Sequence, residues 1–129
     1  SPLEKRFEPL CFPIQNSADA PGGRLTHLAS ARACRDQLAE RGRRGEVCRT
    51  RAAYVPEVFC DLRPPGYARV TVTGFAIDAY SAESNCEHVA MGMDWIMNNC
   101  GEKHCECGVG GQNAAWGNGN LIITIRSEP

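Results

Sequence analysis

The chain has 129 residues, a formal net charge of −1 and 43% hydrophobic residues. One domain of this size buries roughly two-thirds of its unfolded surface, enough for one modest core. No apolar run approaches the ~18 residues a bilayer-spanning helix needs. The near-zero charge excludes whole-molecule steering toward nucleic acid or membrane, so no specific nucleic-acid partner is expected.

In chain order, "SPLEKRF" opens the sequence, polar and charged, with no apolar stretch that could act as a signal h-region. Lys5 and Arg6 read as a dibasic processing site of the kexin type, making residues 1–6 a pro-segment remnant and 7–129 a single disulfide-stabilised domain. "LCFPI" is a candidate strand, and "NSADAPGG" a turn-rich link. "SARACRDQLAERG" predicts a helix capped by Ser30, or beginning earlier at Thr26, with a stripe of Ala31, Cys34 and Leu38 and a stop at Gly42. "EVCRTRAAYV" and "EVFCDL" are further candidate strands.

"ARVTVTGFAID" reads as a strand in which Val70 and Val72 share one face while Phe75 and Ile77 have the opposite parity. A bulge at Gly74 would bring both pairs onto one face. "SNCE" carries a capping-box signature, Ser84 with Glu87 three residues on. Behind it Cys86, Val89, Ala90, Met93, Ile96, Met97 and Cys100 recur at helical spacing, and Gly101 supplies the stop. "LIITIR" alternates as a half-buried strand, and "GNGN" reads as the hairpin turn back to "QNAAW". These elements predict an α+β fold, a two-layer sandwich of two helices on one antiparallel sheet.

Eight cysteines lie along the chain: Cys11, Cys34, Cys48, Cys60, Cys86, Cys100, Cys105 and Cys107. An even and high count is the pattern of a small secreted protein, and it allows on the order of a hundred pairings. Cys86 and Cys100 sit about 21 Å apart along one helix at a rise of 1.5 Å per residue. A disulfide needs Cα atoms within about 7 Å, so each must reach another element. Cys105 and Cys107, two apart, are poor partners for one another. The second helix is therefore expected to be stapled at both ends to strands or to the first half.

The stretch "CGEKHCECG" offers an alternative, zinc held by Cys100, His104, Cys105 and Cys107. The number and softness of ligands fit, but the spacing lacks the usual C-x(2–4)-C knuckle and an oxidising compartment competes for the thiols. We read disulfides, no metal and no cofactor. "CGVGGQNAAWGNG" could mimic a phosphate loop, but a strand rather than a helix follows it.

Eleven of the fourteen Lys and Arg residues precede Gly66. Arg41, Arg43, Arg44, Arg49 and Arg51 cluster after the first helix, opposed locally only by Glu46. Cations at a helix C-terminus complement the macrodipole, which accounts for part of the cluster. A patch for an acidic partner accounts for the rest. Trp95 lies about 180° around the second helix from Cys86, at roughly 100° per residue, on the side of Met91 and His88. Either another segment covers it, or Trp95 and Met91 form a second contact patch. His27, His88 and His104, with Glu57 or Glu83 as base, define the enzymatic alternative, a small secreted ribonuclease working by general acid–base catalysis. No recognised motif places these residues together.

The helix with a cysteine at each end ("NCEHVAMGMDWIMNNC"), the clustered "CECG" and the closing "GNLIITI" resemble the C-terminal half of killer toxins encoded by smut-fungus viruses. The order is also similar to that of the necrosis-inducing and killer-toxin-like secreted effectors of plant-pathogenic fungi. The resemblance covers residues 69–126 and rests on spacing; no toxin active residue transfers to a position here. It implies a secreted, disulfide-braced α/β virulence protein that acts by binding, without catalysis, on a protein or membrane component of a host or competitor cell. A monomer is expected.

Overall fold

The structure, a computed structural model, describes residues 7–12, 23–100 and 109–128. The elements are β1 (Leu10–Cys11), α1 (Gly23–Arg43), β2 (Val47–Arg49), β3 (Glu57–Leu62), β4 (Arg69–Ala76), β5 (Glu83–Asn85), α2 (Cys86–Cys100), β6 (Gly111–Ala115) and β7 (Asn118–Glu128). The fold is α+β: two helices, strands paired almost wholly antiparallel, and three disulfides among the described residues. The predicted site Lys5–Arg6, and with it Cys105, Cys107 and His104, lies outside the described residues.

One expected sheet is in fact two ladders. Five strands run in the order β1-β6-β7-β4-β3, and β2 pairs with β5 in a separate two-stranded ladder. Of the candidate strand "EVCRTRAAYV", only Val47–Arg49 is extended, followed by a parallel bridge from Ala53 to Ala76. β7 is the spine of the larger sheet, pairing along β4 from Leu121↔Ala76 to Glu128↔Arg69 and with β6 on its other side. The turn joining β6 to β7 falls at Trp116–Gly117, overlapping the first residue of the predicted "GNGN", whose other three residues already belong to β7.

One face of this sheet meets the helices. Val70, Val72 and Ala76 of β4 lie in register with Ser127, Ile125 and Leu121 of β7. All of these except Ser127 are buried in one cluster with Leu38 of α1 and Val89, Met93 and Ile96 of α2. Each fully buried Leu, Ile or Val contributes about 1.5–3 kcal/mol relative to exposure. The half-buried pattern expected of "LIITIR" does not hold: Ile122 and Thr124, facing the opposite side, are buried as well. Ile122 lies between Phe75 of β4 and Ala114 of β6 in the ladder.

Gly74 does not mark a bulge. Burial alternates regularly along β4, so Phe75 stays on the face opposite Val70 and Val72. The irregularity lies in β3, between Val58 and Cys60. Phe59 is the extra residue, and a Cβ on Gly74 would collide with its ring. The glycine is there because an aromatic ring lies against the backbone.

Both helix starts differ from the sequence reading. α1 begins at Gly23, and Ser30 is an interior position whose hydroxyl donates to the Ala68 carbonyl. Its predicted stripe holds: Ala31, Cys34 and Leu38 are buried. Helix α1 runs past Gly42 to Arg43, and Gly45 (φ +90°) makes the left-handed exit. Ser84 belongs to β5; Asn85 caps α2, its Oδ1 accepting from the Glu87 amide at 2.8 Å. Asn85 Nδ2 also donates to the Gly42 carbonyl at 2.9 Å, so one side chain closes the end of α1 and the start of α2. Asn85→Ala is expected to cost about 1–3 kcal/mol, the cap plus a hydrogen bond, read from a urea titration.

The described bridges fix the helices at three places. Cys11–Cys100 ties β1 to the end of α2, Cys48–Cys86 ties β2 to its start, and Cys34–Cys60 ties α1 to β3. The expectation that α2 is stapled at both ends to other elements is met. Arg35 of α1 forks onto Asp94 of α2 at 3.0 and 3.2 Å, and this contact raises the arginine's pKa further.

Candidate functional site

Between β2 and β3 runs an open groove of about 570 Å³. Three of the five clustered arginines, Arg41, Arg49 and Arg51, line it together with Glu57, Val58 and Phe59. Each arrives from a different piece of backbone. Arg41 is in the last turn of α1, Arg49 ends β2, and Arg51 begins the irregular stretch leading to β3. The α1–β2 turn is short because Glu46 and Gly45 donate their amides back to the carbonyls of Arg41 and Gly42 at 3.0 and 2.9 Å. That turn lays β2 beside the C-terminus of α1.

The charge is more evenly balanced than the local sequence indicates. Arg41 pairs with Glu46 and also donates to the Phe59 carbonyl at 2.8 Å. Arg49 meets Glu83 of β5 at 3.1 Å, and Arg51 meets Glu57 at 2.6 Å. Arg43 pairs with Glu40 at 3.0 Å and reaches Glu87 at 3.7 Å. Arg44 is exposed and makes no ion pair among the described residues. Glu83 and Glu87 are distant in sequence and Glu57 lies just beyond the cluster, which is why only Glu46 reads as opposing it there.

The pairs are not equivalent in what they leave available. Arg51 is 87% exposed while its partner Glu57 is 16% exposed, so the guanidinium lies at the groove's mouth with the carboxylate beneath it. That carboxylate raises the Arg51 pKa, chiefly through the hydrogen bond. An exposed guanidinium is solvated whether or not it is paired, so an incoming acid can compete for Arg51 with its intramolecular partner. The lining adds apolar surface: Val47 and Val58 are both exposed. Tyr54 is held at φ 60°, uncommon for a bulky side chain, by its amide bond to the Ala76 carbonyl at 3.0 Å and its ring contact with Phe75 at 6.5 Å.

The sequence matches, over residues 15–127, the family described as Domain of unknown function (DUF8794). The chain belongs to that family. No curated protein and no solved structure matches it. The family match spans β2, β3 and both helices, so the groove lies wholly within the matched residues.

The second predicted patch divides. Met91 is exposed, whereas Trp95 is half-buried and packs against the core, the covered alternative of the two readings. Sequence reasoning missed Trp116, 59% exposed at the tip of the β6–β7 hairpin. Its ring meets His88 with centroids 5.1 Å apart, and its amide donates to the His88 carbonyl at 3.1 Å. The signal was available: a tryptophan directly before a glycine-rich turn sits at a loop tip, where little covers it.

The histidines do not assemble a general acid–base pair among the described residues. His27 is buried in α1, and neither ring nitrogen has a hydrogen-bond partner. His88 is half-buried against Trp116. Glu57 and Glu83, the candidate bases, are paired with Arg51 and Arg49. Burial holds the His27 pKa below its ordinary value of 6.5. The unfolded chain therefore takes up a proton that the folded chain resists. Stability falls as the pH drops below about 6.5, until the folded ring also protonates, and is unaffected by this group well above that pH. The urea midpoint is expected to be lower at about pH 5 than at about pH 7.5, and His27→Leu to reduce that difference.

The described residues include no group of His, Cys, Asp and Glu arranged to hold a metal ion. No helix among them is long and apolar enough to cross a membrane.

Proposed function

We propose that this protein is an extracellular binding protein, a killer-toxin-like or necrosis-inducing effector of a fungus, that engages an acidic partner on a host or competitor cell through the β2–β3 groove. The observation that carries this reading is the convergence of Arg41, Arg49 and Arg51 on one open groove beside exposed apolar side chains. Arginine forks bind carboxylates in two-point geometry, and apolar neighbours lower the local dielectric around them. Arg43 and Arg44 add exposed positive charge at the end of α1, and Met91 with Trp116 provides a second, apolar contact. Three bridges suit an oxidising compartment. The order of cysteine, amphipathic helix, cysteine, glycine-bearing turn and strand supports the effector comparison. With it goes the finer architecture, α1 and α2 as one layer over the five-stranded sheet, supported by the shared cluster of helix and strand side chains.

Binding of fluorescently labelled protein to plant cells and to competitor fungal cells tests the reading. Wild type is expected to bind one of them and to lose at least about fivefold in affinity between low and high salt, as screened charge contacts do. Arg49→Glu with Arg51→Glu is expected to lose binding while circular dichroism shows the fold retained; the thermal midpoint falls, because the new carboxylates face Glu83 and Glu57. Binding that is indifferent to salt and to both substitutions would sink the groove as the contact surface.

A further inference from the structure

The β2–β3 groove abuts two strand edges rather than a sheet face. Three consecutive residues of β2, Val47 to Arg49, and three of β3, Glu57 to Phe59, line it. Successive side chains of a strand point to opposite faces, so a groove that touches all three runs along the strand's edge. Among the described residues both edges are free: β2 pairs only with β5, and β3 only with β4.

The hydrogen-bond pattern shows which backbone groups face outward. The Cys86 amide bonds the Glu46 carbonyl at 3.0 Å, and the Thr50 amide bonds the Ala82 carbonyl at 2.9 Å. In an antiparallel ladder inward and outward residues alternate. Glu46 and Thr50 point toward β5, and so by alternation does Cys48, which leaves the groups of Val47 and Arg49 directed away from it. Across the groove, the carbonyl of Phe59, the extra residue of the β3 irregularity, is already met by a donor from that side, Arg41.

We propose that the slot between β2 and β3 receives an extended acidic peptide segment of the partner, which adds as a strand between the two free edges. The proposal rests on the reading of the groove as an acid-binding site and specifies how it is filled. Main-chain bonds to Val47 and Arg49 supply affinity, as in other cases of strand addition. Val47 and Arg49, two apart on β2, share its exposed face, so successive guest side chains on that face meet the Arg49 guanidinium and the Val47 side chain, which selects an acidic residue two positions from a β-branched one. A compact acidic surface or a free anion would satisfy the arginines but not the edge.

The test uses the oxidised full chain and an acetylated, amidated octapeptide of repeating Glu-Glu-Val-Val, which places glutamate and valine in turn along each face, with binding followed by calorimetry. Wild type is expected to bind it, and amide exchange at Val47 and Arg49 to slow in the complex. A second octapeptide, N-methylated at alternate residues, keeps every side chain and loses the edge donors; it is expected to bind at least about tenfold more weakly in both methylation phases. Arg49→Glu with Arg51→Glu is expected to abolish binding of either peptide. Equal binding of plain and methylated peptides, both lost in the double variant, would leave the acid-binding groove standing and overturn strand addition. No binding of either peptide by wild type would overturn both readings. A wild-type dimer in sedimentation that the double variant dissociates would assign the slot to a second copy of this chain and overturn the proposal.

Discussion

Replacing Cys11 and Cys100 by serine is expected to lower the stability of the oxidised protein by about 4–5 kcal/mol, the largest single loss among the described bridges on loop length alone. The residues are 89 apart, against 38 for Cys48–Cys86 and 26 for Cys34–Cys60. The same chain-entropy argument gives about 3.9 and about 3.5 kcal/mol for the shorter loops. Domains of this size hold only about 5–15 kcal/mol in total, so full reduction is expected to unfold the protein. Loop length is not the whole of it for Cys34–Cys60. Helix α1 reaches the core mainly through small residues: Ala31 and Ala39 are buried beside Cys34, and Leu28 and Leu38 are its larger apolar contacts. An alanine contributes little burial, so the bridge supplies attachment that packing would supply elsewhere. Cys34→Ala with Cys60→Ala is therefore expected to lose more than its loop predicts and to free α1 selectively. Amide exchange should accelerate along Gly23–Arg43 while Arg69–Ala76 stays protected. A Cys34/Cys60 variant whose α1 remains as protected as the β4–β7 ladder would refute that ranking.

The staple on α2 was legible because it is a matter of geometry: two cysteines at the ends of a 15-residue helix cannot meet each other. The stripes of both helices were legible for the same reason, since periodicity alone decides which side chains share a face. What the sequence did not carry is everything decided by a partner far along the chain. The Ser84 and Asn85 caps differ by one residue and both fit a local rule. Asn85 wins because it also bonds the Gly42 carbonyl, 43 residues away. Gly74 looks like a bulge until Phe59 is seen against it. The arginine cluster was found, and three of its members do share a groove. The Arg49 partner, Glu83, comes from a strand 34 residues on that only the folded topology brings near. The groove itself is the gap between two ladders, and one predicted sheet left no place for it.

Gly42→Ala is expected to destabilise the protein by about 2–4 kcal/mol, although alanine is the better helix former by about 1 kcal/mol. Gly42 lies in α1 at ordinary φ, so backbone freedom is not the reason for it. A Cβ there would run into the Glu87 amide nitrogen and Asn85 Oδ1, with the Glu87 Cβ 2.7 Å away. Those two atoms are the donor and acceptor of the α2 cap. One methyl group therefore does two things: it overpacks the α1–α2 junction, worth about 1–3 kcal/mol, and it displaces the cap, worth about 0.5–2 kcal/mol. Neither obstacle is the free end of a flexible side chain: one is backbone, and the other is fixed by bonds to Gly42 and Glu87. Nor can the helices drift apart to make room, because Cys48–Cys86 holds the start of α2 and Arg35–Asp94 joins it to α1 further along. The strain should therefore appear as lost stability rather than as a shifted helix. Pairing Gly42→Ala with Asn85→Ala separates the two contributions. If the cap is the main loss, the double variant is little worse than Gly42→Ala alone; if overpacking dominates, removing the Asn85 side chain relieves part of the clash and the double variant is the more stable of the two. A Gly42→Ala protein with a urea midpoint at or above wild type would mean that helix propensity outweighs the junction, and would remove Gly42 as the point where the two helices are locked.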